Sequence, residues 1–144
     1  MRNRICLVLI ALFSATCFVA ANNVVNQDDP QDVEKKIVEL QKKRCDILKE
    51  RVEALESRHS EGQIQVMQVI HARDDLYLAK LELVLAPEAR VKLSKLRLKN
   101  MAELEEATTL RYANGVGTVD EKLVAVASRI LAEIDLLNEQ AKTK

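Results

Sequence analysis

Apolar residues recur along most of this chain at helical intervals. Val33, Ile37, Leu40, Leu48, Val52 and Leu55 fall at spacings compatible with one helix stripe, interrupted by Arg44. Asp29-Pro30-Gln31-Asp32 offers an N-cap, a proline at the first helical position and an acid in the first turn, so a helix is expected from Pro30. His59-Ser60-Glu61-Gly62 ends it. Ile64 to Leu85 predicts a second helix with a broader face of Val66, Val69, Ile70, Tyr77, Leu81 and Val84. Pro87 lacks an N–H and biases Ala86 away from helix, so a third helix is expected to begin there. It carries Val91, Leu93, Leu96, Met101 and Leu104 and stops at Asn114-Gly115-Val116-Gly117. The fourth has the clearest signature: Thr118-Val119-Asp120-Glu121 predicts a capping box. Val119, Leu123, Val126, Ile130, Ile134, Leu137 and Ala141 then follow at steps of four and three. Such a stripe is expected to be a packing seam facing another helix.

Sliding the chain against itself by 53 residues brings Arg58-His59-Ser60-Glu61-Gly62 onto Arg111-Tyr112-Ala113-Asn114-Gly115. Downstream, Val66 falls on Val119, Ile70 on Leu123, Ala72 on Ala125, Ala79 on Ala132 and Leu83 on Leu136; upstream, Glu50, Glu53 and Ala54 fall on Glu103, Glu106 and Ala107. The register predicts a duplicated helical hairpin with a tight turn at each glycine, Gly62 and Gly115. Expected boundaries are 30–86 for the first hairpin and 87–144 for the second, after a polar leader at 22–29.

The second turn carries a resemblance. Arg111-Tyr112-x-x-Gly115-x-x-Thr118-x-x-Glu121-x-Leu123-x-Ala125 is similar to the repeated motif of outer-membrane efflux proteins of the TolC family, where such a run opens a helix of the periplasmic α-barrel. Arg58, Gly62, Ile70 and Ala72 resemble it more loosely. The resemblance implies a periplasmic helical-hairpin protein and a possible accessory or truncated component of an efflux system. Members of that family are several times longer and carry transmembrane β-strands, whereas nothing here alternates over the ~9 to 11 residues a barrel strand requires.

The N-terminus changes where such hairpins would reside. Met1-Arg-Asn-Arg4 is basic, Ile5 to Ala15 is a short apolar core, and Val19-Ala20-Ala21 is small at both key positions, which predicts a signal peptide over 1–21 and cleavage before Asn22. The apolar stretch is shorter than the ~20 residues of a spanning helix, so an N-terminal anchor is the lesser alternative and no transmembrane span is expected in the mature chain. Lipidation at Cys17 is disfavoured by Ser14 and Thr16. Of the three cysteines only Cys45 survives cleavage; it reads as a half-buried helix residue with a free thiol, the alternative being an intermolecular disulfide.

Composition narrows the class further. The 144 residues hold 22 Lys plus Arg against 22 Asp plus Glu, with 3 Gly, 2 Pro and no Trp, too little turn chemistry for an all-β sandwich. Without its leader the chain keeps only Tyr77 and Tyr112 as aromatics and stays near neutral, which removes the stacking platforms and basic footprint of nucleic-acid binding.

Candidate chemistry is sparse. His71 and Asp75, four apart on one face, could present two metal ligands, but no third follows in a recognisable pattern, and no metal or cofactor is expected. His59 is expected to pack beside the first turn. Glu103, Glu105, Glu106, Asp74 and Asp75 lie among Lys and Arg and read as solvated faces. No nucleophile elbow or phosphate loop is present in the sequence. The reading is therefore all-α: two homologous long hairpins, closed as an up-and-down four-helix bundle or extended as a coiled-coil-like assembly. The expected role is non-enzymatic, structural or interactive, with protein partners or self-association in the cell envelope, a metal-binding bundle being the remote alternative. Its marked residues are Gly62, Gly115, Thr118 and Glu121 at turns and caps, and Val119, Leu123, Val126, Ile130, Ile134 and Leu137 in the seam.

Overall fold

The computed structural model describes residues 29–143; the expected signal peptide and its cleavage point lie outside them. The chain divides into two compact units, Met1–Val33 and Glu34–Lys144. In the first, Asp29 caps the opening turn: its Oδ1 accepts from Gln31 N at 3.1 Å and its carbonyl from Asp32 N at 2.7 Å. Four helices follow in order, α1 (Pro30–Ser60), α2 (Val66–Leu83), α3 (Pro87–Ala113) and α4 (Val119–Ala141), and among the described residues there is no strand. None of these helices is long and apolar enough to cross a membrane.

Within Glu34–Lys144 each helix packs on its sequence neighbour and runs against it. Arg44 meets Glu82 at 2.7 Å and Arg51 meets Asp75 at 2.7 Å, so numbering rises in α1 as it falls in α2. Arg90 meets Glu139 at 2.8 Å while Arg129 pairs with Glu105, which sets α3 and α4 antiparallel in the same way. Short connections, with Pro87 opening α3 and glycines closing α1 and α3, leave consecutive helices no other course.

Two apolar clusters hold the helices. Val52 of α1, flanked by Leu48 and Leu55, packs on Ala72 and Leu76 of α2. Ile70 of α2 joins Met101 and Leu104 of α3 and Ala125 and Ala132 of α4, with Met67 and Leu98 against them. Ala72, Ala79, Ala125 and Ala132 are all no more than 1% exposed. These are the alanines that coincide under the 53-residue shift, spaced seven apart on each helix. A methyl side chain adds little radius, so backbones can approach closely along such a row.

The observed faces depart from the expected ones on every helix; on α2, Val66 is exposed while Ala72, Leu76 and Ala79 are buried beside Val69 and Ile70. On α3, Leu96 is 48% exposed, and Ser94, Arg97, Asn100 and Thr108 are buried beside Met101 and Leu104. That helix contacts both α2 and α4 and meets them partly through hydrogen bonds, which a search for apolar residues passes over. On α1, Val33, Ile37 and Leu40 of the expected stripe are exposed, and the covered face runs through Leu48, Val52 and Leu55. On α4, the expected seam is turned away from α3: Leu123 is 60% exposed, Ile130 45% and Leu137 58%, and only Val126 is half-buried. The face of α4 that meets α3 is Ala125, Ala132, Leu136 and Glu139. The small radius of Ala125 and Ala132 lets α4 lie close to α3 on this face.

Candidate functional site

The two hairpin turns are built alike. Gly62 has φ +72° and Gly115 φ +71°, the left-handed conformation that ends a helix most cheaply at glycine. Gly62 N donates to His59 O at 2.9 Å and Gln63 N to Arg58 O at 2.9 Å; 53 residues later Gly115 N donates to Tyr112 O at 3.0 Å and Val116 N to Arg111 O at 3.0 Å. The turns differ in what caps the next helix. Glu121 N donates to Thr118 Oγ1 and Thr118 N to Glu121 Oε2, both at 3.1 Å, a reciprocal box, whereas Gln65 makes no side-chain cap. His59 Nδ1 lies 3.1 Å from Ile64 O, beside its turn, and Lys122 Nζ sits 5.5 Å over the Tyr112 ring at the other. These parts position helices.

Between α2, α3 and α4 lies a charge node that reading the sequence missed. Arg97 is 7% exposed and donates to Asp74 at 2.8 Å and Asp135 at 2.5 Å, one helix on either side. Burial works to lower its pKa, but hydrogen bonds to Asp74 and then Asp135 hold it above the ordinary guanidinium value. One turn on, buried Asn100 donates Nδ2–H to Ile70 O at 2.8 Å. Near the α2–α3 connection, Arg90 grips Glu139 through two nitrogens, at 2.8 and 3.0 Å, and donates to the carbonyls of Leu81 and Val84 at 2.5 and 3.1 Å. It thereby satisfies carbonyls that the end of α2 leaves open. The hydrogen bond from Arg90, then that from Lys142, pulls the Glu139 carboxyl down to a pKa of about 2.

The carboxylates expected as solvated faces are thus largely cross-helix partners. Asp74 pairs with Arg97, Asp75 with Arg51, Glu105 with Arg129 and Glu103 with Arg73 at 3.5 Å. The only sequence signal was their interleaving with arginines on adjacent helices, which cannot be matched into pairs before the helix order is known. Asp75, four residues from His71, pairs with Arg51, and among the described residues no three His, Cys, Asp or Glu side chains converge. Cys45 is half-buried with a free thiol whose pKa burial raises, which makes it less reactive at neutral pH.

A crevice of about 540 Å3 opens beside this node, lined by Arg44, Glu82, Arg90, Ser94, Arg97 and Glu139 among others. Its cations are already matched: Arg44 by Glu82, Arg90 by Glu139 and Arg97 by Asp135. Ser94 Oγ is buried there without a hydrogen-bond partner.

What remains unmatched is apolar. On α4 the side opposite α3 carries Val119, Leu123, Val124, Ile130, Leu131, Ile134 and Leu137, all exposed at 45 to 60%. At 3.6 residues per turn, Ala127 and Ala141 share that side, and Asp120 and Asn138 are the only polar residues on it. This charge-poor strip runs the length of a 23-residue helix, about 33 Å at ~1.5 Å per residue. Exposed apolar patches beyond a few hundred Å2 on soluble domains mark interaction sites. No protein family, curated protein or solved structure gives a match to this chain.

Proposed function

We propose that this chain is a non-enzymatic, exported helical protein that acts in the cell envelope by associating with other protein through the outer face of α4. The exposed stripe from Val119 to Leu137 carries this reading: a helix apolar on two opposite sides packs on two sides, and α3 covers only one of them. The paired charges of the crevice agree with a binding role rather than a catalytic one. Export rests on the basic start, short apolar core and Val19-Ala20-Ala21. A second reading, an accessory component of an efflux system, is favoured by the Arg111-to-Ala125 motif and by the matching turns at Gly62 and Gly115.

The test is maleimide labelling in intact envelopes of Ile134→Cys against Lys92→Cys, an exposed site on α3, both in a Cys45→Ser background. Ile134→Cys should label several-fold more slowly until the envelope is solubilised and denatured. Equal labelling of the two sites in the native envelope would sink the association reading.

A further inference from the structure

We propose that the occupant of the α4 face is a second copy of this chain, with the two α4 helices antiparallel about a two-fold axis at Ile130. This rests on the association reading above and goes beyond it by naming the partner and the register. The apolar positions Val119, Leu123, Val126, Ile130, Ile134, Leu137 and Ala141 are separated by steps of 4, 3, 4, 4, 3 and 4 residues, a series that reads the same in both directions from Ile130. Antiparallel pairing centred there sets Leu123 on Leu137 of the second copy, Val126 on Ile134, Val119 on Ala141, and Ile130 on itself. Every rung is aliphatic. The stripe repeats after 11 residues, or 3.67 per turn, close enough to the natural 3.6 that two nearly straight helices keep it in contact along its whole length. Ala127 near the centre of the face lets the backbones approach.

Charge along the two edges favours the same arrangement. In an antiparallel pair each edge meets its own copy. Arg129 and Glu133 share one edge, two residues to either side of their facing positions, so each Glu133 comes opposite an Arg129 of the second copy. Glu133 is 53% exposed in its present contact with Arg129 and free to share it. On the other edge Asp120 comes opposite Lys142, whose side chain is 63% exposed. Parallel pairing would align the helix dipoles unfavourably. The contact is isologous and closes at two copies.

Two measurements on the full chain test this. Sedimentation equilibrium should give twice the chain mass, falling to the single mass for Ile130→Glu with helical circular dichroism unchanged, since Ile130 is exposed in the single chain. In a background with Cys6, Cys17 and Cys45 changed to Ser, mild oxidation should cross-link Ile130→Cys to itself. Leu123→Cys should cross-link with Leu137→Cys in a mixture and not alone, because two copies of position 123 lie ~21 Å apart along the axis. Self-cross-linking of Leu123→Cys as efficient as that of Ile130→Cys would overturn the antiparallel register. A wild-type chain that sediments as a monomer at its highest soluble concentration would overturn the second copy altogether. Protection of Ile134→Cys in the envelope would in that case leave the association reading standing with a different partner.

Discussion

Single residues here divide into those that set torsions and those that hold charge. At Gly115 a Cβ would meet nothing within 4 Å, so the requirement is purely one of φ +71°. Gly115→Ala should cost about 1 kcal/mol, and Gly115→Asn less, because asparagine tolerates the left-handed region. Thermal denaturation that leaves Gly115→Ala equal to wild type would show that the turn relaxes. Gly117 differs: a Cβ there would lie 3.0 Å from Arg111 Cβ and 3.1 Å from Tyr112 N, a steric demand. Glu139 sets a pH dependence. Its folded pKa of about 2 lies below the ordinary 4.5, so the folded state binds this proton more weakly than the unfolded chain. The resulting stabilisation is complete above ~4.5 and lost as pH falls toward 2. The melting temperature should drop across that window, and Glu139→Gln should lower it at pH 7 while flattening the acid limb. An unchanged acid limb in the variant would assign the drop to other carboxylates.

At the scale of the element, α4 presents two faces of opposite logic. The inner one is small and close, the outer one bulky and bare. Ala132, 1% exposed against α3, has no room for growth, and Ala132→Leu should destabilise by ~1–3 kcal/mol. Met101→Ala, at 2% exposure in the same cluster, should cost ~2–5 kcal/mol. Ile130→Ala should cost less than ~0.5 kcal/mol in dilute solution, where the outer face is wet. Denaturant titrations at two protein concentrations check all three. A cost for Ile130→Ala above that for Met101→Ala at low concentration would mean that the outer face is covered within one chain.

For the whole described molecule, the tie between helices is uneven. Arg97 joins α2, α3 and α4 through Asp74 and Asp135 from a nearly buried position, and breaking a buried pair by removing one partner costs ~3–5 kcal/mol. Arg97→Ala should fall at the lower end, because Asp135, 41% exposed, can return to water. By contrast α1 is held by one buried side chain, Val52, and by ion pairs half open to solvent. Such pairs contribute ~0–1 kcal/mol each. Amide exchange should therefore be faster across α1 than across α3, and Val52→Ala should accelerate α1 alone. Uniform protection across all four helices would show that α1 opens only with the rest.

The four helices, their capping box and their glycine turns were legible because each depends on short-range rules: Pro87 at N1, Thr118 with Glu121 three residues later, and a left-handed glycine between stripes. The coincidence of Ala72 with Ala125 and Ala79 with Ala132 was legible too, although not its use as the inner contact. Sequence periodicity finds that Val119, Leu123, Ile130 and Leu137 share a side of α4, but it carries no information about which side a neighbour takes. That choice was made by tertiary packing, where the closest approach of α3 and α4 selects methyl groups over larger side chains. The charge node was decided at the same level: Arg97, Asp74 and Asp135 stand 23 and 38 residues apart and become one network only when three helices are side by side.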